Sequence, residues 1–230
     1  MFFADRIISI KPTDRVLEIG PGGSPHPRSN VLLERVFTSE EAAAQRGHAP
    51  GLSGKHDIVY FEGGRFPFDD MAFDYVICSH VLEHVEDVPA FVAELCRVAP
   101  RGYLEFPTVY YDYIYNFRVH RSFLYYTSEE IRWMSKDIVP LAVFKPVQKF
   151  FYHSLNAGFD EMVVSLKDQF FTGFEWSGPV VTREVTDLAE VCPVDDSFVF
   201  PPNPLKPPPV KSIELLKEVI RRVLRRLGFH

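Results

Sequence analysis

The stretch that decides the fold is Val16 to Ser24, which reads Val-Leu-Glu-Ile-Gly-Pro-Gly-Gly-Ser. Its apolar start is typical of a buried parallel strand. The strand then ends in three glycines within four residues, Gly20, Gly22 and Gly23. Glycine permits a positive φ and puts no Cβ between the backbone N–H groups and a ligand. The sequence therefore predicts a strand that enters a ligand-binding turn.

The residues around the turn bear on the kind of ligand. A dinucleotide fingerprint needs glycines at its first, third and sixth positions, and Pro25 stands at the sixth position counted from Gly20. Glu18, two residues before that glycine, brings a carboxylate close to exposed N–H groups. This combination favours a cationic, amine-bearing ligand over a pyrophosphate.

A short lead-in helix is predicted over residues 2–10, and the segments after the glycine turn predict an α/β domain. Four further strands are predicted at 30–36, 56–61, 72–79 and 101–107, with a surface helix at 88–98. Prolines cut short the helix expected after the glycine turn, and residues 38–56 are predicted as a short helix and loop. Such alternation indicates parallel βαβ units with ligands at the carboxyl ends of the strands.

The glycine turn resembles the first motif of the class I S-adenosylmethionine (SAM) dependent methyltransferases, an acidic residue followed by Gly-x-Gly-x-Gly. It stands here as Glu18, Gly20 and Gly22, with Ser24 in place of the third glycine. The run His-Val-Leu-Glu-His-Val at 80–85 resembles that family's fourth segment and is the more specific match. The resemblance covers about residues 14–107. It implies a Rossmann-like, doubly wound, mostly parallel sheet with an antiparallel final strand pair.

The same resemblance implies SAM as the cofactor and assigns residues to it. An acid at the end of the second strand would hold the ribose hydroxyls, an acid and a glycine after the third strand would meet the adenine, and the tip of the fourth strand would lie near the methionine end. The expected cofactor-binding residues are Glu18, Gly20, Gly22, Glu34, Glu62, Gly63, Ser79 and His80.

The run from His80 to His84 also matches His-x-x-Glu-His, an inverted zinc-protease motif with Glu83 as the general base. That motif needs both histidines on one helical face, whereas His80 directly follows a predicted buried strand. We therefore expect no metal site, and a zinc hydrolase is only a remote alternative. Two roles stay open for His80, a catalytic one and a cap for the following helix.

The segment after the fifth strand is rich in aromatic residues, with ten among the 24 residues 103–126. An insertion at about 108–155 is predicted to bind substrate by stacking, or alternatively to pack as a small subdomain. His120 is predicted as a catalytic base and Arg121 as an anion anchor. A helix is predicted from Ser128 to about Lys136, and strands at 161–166, 170–176 and 180–186.

The composition limits the binding partners and the cellular locations to be expected. The net charge of −6 gives no general expectation of nucleic-acid binding, and the three cysteines are odd in number and widely spaced. Without an export signal or a long apolar run, the sequence predicts a cytoplasmic location. The methyltransferase domain is expected to span 1–200.

The last thirty residues have a different character. Residues 201–210 are predicted to be a proline-rich linker, and 211–230 a basic amphipathic C-terminal helix. The face formed by 211–227 suits peripheral contact with the anionic inner face of a membrane, docking on the protein's own domain, or self-association.

These observations predict SAM-dependent methyl transfer to an oxygen or nitrogen of a small-molecule or saccharide acceptor, such as a glycan. The insertion and the basic tail favour the saccharide acceptor. The alternative from another class is a catalytically silent SAM-binding or scaffold protein that docks through its C-terminal helix.

Overall fold

The computed structural model describes residues 1–36, 56–155, 157 and 160–192. The chain divides into two compact units, Met1–Pro193 and Val194–His230, and every described residue belongs to the first. The predictions for the loop after the second strand, for the linker and for the C-terminal helix lie outside the described residues. The predicted domain boundaries therefore stay predictions.

A six-stranded sheet forms the centre of the first unit. Its strand order is β3-β2-β1-β4-β5-β8, and all neighbours are parallel except the antiparallel pair β5 and β8. The strands are β1 (Val16–Ile19), β2 (Val31–Arg35), β3 (Asp57–Phe61), β4 (Tyr75–Ser79), β5 (Arg101–Pro107) and β8 (Phe171–Ser177). The first five strands confirm the predicted doubly wound α/β fold.

The middle strands of the sheet are covered on both faces. All four residues of β1 are buried, and so are the first four of β4. In register, Leu17 lies between Val31 of β2 and Val76 of β4. Such continuous apolar runs are what a doubly covered parallel strand requires.

Helix α1 (Val88–Val98) covers one face of this sheet, as its apolar spacing predicts. Asp87 caps it by accepting a hydrogen bond from the N–H of Ala90 at 2.9 Å, and a proline stands in its first turn. Arg97 near its end binds Glu94 and the carbonyl oxygens of Phe66 and Phe68, which fixes the loop after β3. The connection from β1 to β2 contains no helix, as the prolines predict.

A second sheet of three strands follows the fifth strand, in the order β6-β7-β9. It consists of β6 (Ser122–Tyr126), β7 (Glu130–Ser135) and β9 (Val181–Glu184). The predicted helix from Ser128 is therefore wrong. The hydroxyl of Thr127 accepts hydrogen bonds from the N–H groups of Glu129 and Glu130, so the capping pattern builds a hairpin turn instead of a helix start.

Three other local predictions need correction. Residues 161–166 were expected to form a strand, but the short helix Asp160–Ser165 lies there and only Val163 of its apolar side chains is buried. The strand at 180–186 exists as β9, yet it pairs with β7 instead of joining β8 in a final antiparallel pair. The lead-in helix expected over 2–10 is a single 3₁₀ turn, Ala4–Arg6.

The aromatic insertion forms α2 (Val109–Tyr115), the first strands of the second sheet and α3 (Lys145–Ser154). Short helices at 160–165 and 167–170 lead back to β8. Many of its rings pack on one another, for example Tyr111 stacked on Phe117 with ring centres 5.2 Å apart, and Tyr115 is 2% exposed. These rings therefore form a small core. No helix among the described residues combines the length and the apolar character that crossing a bilayer requires.

Candidate active site

A cleft of about 1040 Å³ opens at the carboxyl ends of β1 to β4. It lies where open α/β sheets bind their ligands. Its described lining includes seven of the eight predicted cofactor-binding residues, namely Gly20, Gly22, Glu34, Glu62, Gly63, Ser79 and His80. The topology thus brings together four segments that are up to sixty residues apart in the chain.

The glycine turn forms one wall of the cleft. Gly20 and Gly22 have φ values of +59° and +60°, and residues that have a Cβ rarely adopt such values. A Cβ at Gly20 would also lie 2.6 Å from Cγ2 of Val81. At Gly22 no atom lies within 4 Å of the position of a Cβ, so the backbone there faces open space. The turn therefore needs glycine for its conformation at both positions.

Glu18 does not line the cleft. Its side chain is 3% exposed and accepts hydrogen bonds from the hydroxyl of Ser29 at 2.6 Å and the N–H of His26 at 2.8 Å. Burial raises the pKa of Glu18, although both hydrogen bonds oppose that shift. The structure thus places this carboxylate in the support of the β1–β2 connection, and its role in cofactor binding stays a prediction.

Two carboxylates stand on the side of the cleft formed by β2 and β3. Glu34 is 5% exposed near the end of β2, where it pairs in register with Tyr60 of β3. Glu62 follows β3 directly and is exposed, and Gly63 after it has a φ of +115°. These positions agree with the predicted segment ends. The described lining carries five carboxylates and three guanidinium groups, and it also includes Met1 with its amino terminus and two histidines.

His80 occupies a strained position at the tip of β4. Its φ is +57°, and its backbone N–H donates to the carbonyl oxygen of Glu105 at 2.8 Å. Such left-handed non-glycine residues cost of order 1–3 kcal/mol and concentrate at functional sites. The ring lies between two carboxylates, with Nε2 at 2.9 Å from Glu105 and Nδ1 at 3.5 Å from Glu83. Burial alone would lower the pKa of His80, but the two carboxylates raise it to about 9.

Glu105, in the middle of β5, is a functional candidate that sequence reasoning missed. Its carboxylate is fully buried and accepts hydrogen bonds from the N–H groups of Phe2 and Phe3 and from the hydroxyl of Tyr103. Burial opposes its ionisation, yet His80 and these donors lower the pKa of Glu105 to about 2. A charged residue inside an otherwise apolar strand was the available signal, because buried carboxylates need partners.

His120 is in a different place from the other predicted residues. It does not line the cleft, although its neighbour Arg121 does. Nδ1 of His120 lies 2.9 Å from the carboxylate of Asp112, and its ring is edge-on to that of His84 with centres 4.8 Å apart. Since His84 does line the cleft, His120 stands directly behind that wall.

The zinc-protease motif does not take the conformation that it requires. Only the 3₁₀ turn Leu82–His84 forms here, and His80 precedes it in a left-handed conformation. Burial lowers the pKa of His84, whereas Glu83 is held ionised, since its histidine neighbours outweigh burial and lower its pKa to about 2. His80 and His84 do not share the face of one helix.

Comparisons with known proteins agree with this architecture. Residues 28–106 match the family model described as a methyltransferase domain. A similar curated protein, ajmaline N-methyltransferase of Rauvolfia serpentina, is 34% identical over 73 residues, 32% of this chain and 24% of that protein. The chain thus spans about a quarter of the length of that relative.

Two solved structures are similar to a lesser degree. A SAM-dependent methyltransferase of Mesorhizobium loti is 12% identical, with 70% of this chain and 89% of the other covered at a TM-score of 0.37. One of Aquifex aeolicus is 18% identical, with 41% and 55% covered at a TM-score of 0.28. The predicted resemblance to class I methyltransferases is confirmed by the family match over residues 28–106.

Proposed function

We propose that this protein is a SAM-dependent methyltransferase that acts on an oxygen or nitrogen of a small-molecule or saccharide acceptor. The observation that carries the proposal is the cleft, because seven separately predicted residues border one cavity. Its volume of about 1040 Å³ leaves room for a second ligand beside a cofactor. The similar protein from Rauvolfia serpentina is an N-methyltransferase by name, which supports including nitrogen among the acceptor atoms.

The residues of the cleft fit SAM by their chemistry. Gly20 and Gly22 present backbone to the ligand, and the carboxylate of Glu34 suits a pair of ribose hydroxyls. Glu62 and Gly63 would meet the adenine, and Ser79 and His80 would lie at the methionine end.

When bound, SAM supplies an electrophilic methyl group, and the chain mainly has to align an acceptor with it. His80 is held as an imidazolium by two carboxylates, so we propose that it orients ligands instead of taking a proton. His120 can take a hydroxyl proton at Nε2, because Nδ1 is engaged by Asp112. The Asp112 carboxylate, which accepts the hydrogen bond from Nδ1–H of His120, then stabilises the charged ring.

Calorimetry with SAM tests the cofactor assignment. Wild type is expected to bind one equivalent, and Glu34→Ala to bind at least about tenfold more weakly through the lost charge-assisted hydrogen bonds. Exposed Glu129→Ala is the matched control and should bind like wild type. An absence of binding at millimolar SAM, or equal affinity of all three proteins, would contradict the proposal.

A second assay separates the enzyme from a silent SAM-binding scaffold. Radiolabelled SAM is incubated with wild type and pools of saccharide, phenol and amine acceptors, and transfer of label is measured. Labelled product that His120→Ala forms more slowly supports catalysis. SAM binding without transfer to any acceptor would favour the scaffold.

For the C-terminal segment 211–227 we propose peripheral membrane contact or self-association. The support is its sequence pattern, a basic face on an otherwise acidic protein. Co-sedimentation with anionic vesicles should be lost in a version that ends at Val199. Equal sedimentation of both versions would exclude the membrane role, and analytical ultracentrifugation of the same pair tests self-association.

A further inference from the structure

Three metal-ligating side chains converge beside the cleft. Glu83 and His84 belong to the 3₁₀ turn after β4, and His120 precedes β6. One ligand atom from each residue lies within 4.8 Å of the other two. The backbone ties the two segments together, since the N–H of Arg121 donates to the carbonyl oxygen of Glu83 at 2.7 Å. The cluster is thus a fixed product of the fold.

Both imidazoles are oriented as metal ligands are. Nδ1 of His84 lies 3.1 Å from the carbonyl oxygen of Val119, which has no proton, so this nitrogen must be the donor and Nε2 keeps its lone pair. Nδ1 of His120 lies 2.9 Å from the carboxylate of Asp112, and the same reasoning leaves a lone pair on its Nε2. A metal-bound histidine typically donates its second N–H to a carbonyl or a carboxylate in this way.

Asp112 is itself held in place. It is 1% exposed and accepts a hydrogen bond from Nζ of Lys136 at 2.9 Å. Lys136 also donates to the carbonyl oxygen of Phe117, three residues before His120. The partner that orients the His120 ring is therefore neutralised and immobile, which preorganises the ring.

The Glu83 carboxylate supplies an independent observation. Its side chain is 1% exposed, and within the described part of the chain neither of its oxygens has a hydrogen-bond partner. The nearest groups are Nδ1 of His80 at 3.5 Å and Nε2 of His84 at 3.8 Å. The imidazolium of His80 compensates the charge of Glu83 from 3.5 Å, but the two oxygens accept no hydrogen bond within the described residues, and a bound cation would satisfy them directly.

We propose that Glu83, Nε2 of His84 and Nε2 of His120 bind a divalent transition metal, with Zn²⁺ as the first expectation. Two imidazole nitrogens and one carboxylate form the ligand set of zinc sites that keep an open coordination position. Imidazole ligands disfavour Mg²⁺ and Ca²⁺, which prefer oxygen. The sequence motif had pointed to His80 as the second histidine, and the fold supplies His120 in its place.

The metal site goes beyond the proposed methyl transfer and does not rest on it. If that function also holds, a bound metal would replace His120 as the group that activates the acceptor, because Nε2 of His120 is then a ligand and cannot take a proton. The open position would receive the acceptor oxygen, since His84 also lines the cleft. Zinc-hydrolase chemistry is not implied, since Glu83 acts here as a ligand and the general base of the protease motif has no counterpart.

Metal binding by the purified full chain tests the proposal. After dialysis against a chelator, Zn²⁺ titrated in a calorimeter should bind at one equivalent. Loss of one ligand should weaken binding by at least about 100-fold in His84→Ala, in His120→Ala and in Glu83→Gln. His153→Ala, which removes an exposed histidine on α3, is the matched control and should bind like wild type.

Two further readouts keep the test decisive. Co²⁺ should give a visible d–d spectrum without thiolate charge transfer, which distinguishes this site from binding at the three cysteines. Zn²⁺ should raise the melting temperature of wild type and of His153→Ala but not of the ligand variants. If His120→Ala fails to fold, His120→Gln replaces it. Wild-type binding no tighter than that of Glu83→Gln and His84→Ala would overturn the proposal, whatever happens to methyl transfer.

Discussion

Nε2 of His80 lies 2.9 Å from Oε1 of Glu105, so an ion pair joins the tip of β4 to the interior of the neighbouring strand β5. The same carboxylate receives the N–H groups of Phe2 and Phe3, so it also anchors the start of the chain against the sheet. One fully buried group therefore links the cleft wall to the N-terminal segment.

The first prediction concerns acid stability. The pKa of Glu105 is lowered from 4.5 to about 2 in the folded protein. Its contribution is complete above pH 4.5 and is lost as the pH falls toward 2, because the unfolded chain binds the proton first. The lost free energy of unfolding is about 3 kcal/mol. Urea unfolding at several pH values should show this decline in wild type and a flatter profile in Glu105→Gln. Exposed Glu129→Gln should keep the wild-type slope, and a slope unchanged by Glu105→Gln would refute the assignment.

The second prediction concerns the glycine turn. Gly20→Ala should destabilise the protein by about 2–4 kcal/mol, since it combines a strained positive φ with overpacking against Val81. Its SAM affinity should fall as well. Gly178→Ala is the control, because Gly178 has a φ of +79° but no atom within 4 Å of a Cβ there. That variant should lose only about 1 kcal/mol and keep its SAM affinity. Equal effects in both variants on unfolding and calorimetry would show that the Val81 contact is unimportant.

The third prediction concerns Arg97, which lies 15% exposed between α1 and the loop after β3. Its guanidinium binds Glu94, Asp70 and two carbonyl oxygens, so Arg97→Ala should cost about 2–3 kcal/mol of unfolding free energy. Arg97→Lys should recover little, because an ammonium cannot reproduce the planar fork. Arg65→Ala, which removes an exposed partner of the same Asp70, should cost less than about 1 kcal/mol. If denaturant unfolding gave the same loss of free energy for Arg97→Ala as for Arg65→Ala, Arg97 would contribute no more than an exposed arginine.

The fourth prediction concerns the contact between the two sheets. The rings of Tyr126 on β6 and Phe174 on β8 stack with centres 3.5 Å apart and planes 3° from parallel. A double-mutant cycle with Tyr126→Ala and Phe174→Ala should give a coupling of about 0.5–1.5 kcal/mol. As a control, Tyr126→Ala combined with Val181→Ala, an exposed position on β9 that has no strand pairing with β6, should be additive within about 0.5 kcal/mol. Additivity in the first cycle would mean that the sheets are held by other contacts.

The sequence was sufficient where local chemistry determines local structure. The apolar runs of β1 and β4, the glycines at positive φ and the proline-interrupted connection all appear as predicted. The cleft residues follow because parallel strands end at the same edge. These predictions need only a few neighbouring residues each.

The sequence was insufficient where contacts between residues far apart in the chain determine the structure. The segment 130–135 has helical spacing of buried Ile131 and Met134, yet it is a strand because β6 and β9 flank it. The partnership of Glu105 with residues 2 and 3 spans about a hundred positions. His120 joins His84 only because the 3₁₀ turn and the start of β6 are bonded through Arg121.

The connection between β1 and β2 runs through residues 20–30 without a helix. In dinucleotide-binding proteins a helix starting at this turn directs the positive end of its dipole toward a phosphate. Here no helix dipole adds to the partial positive charge of the glycine amides, and the described lining includes five carboxylates. If the cleft binds SAM as proposed, phosphorylated nucleotides such as ATP or NAD should be weaker competitors, because no helix dipole at this turn favours their phosphate groups.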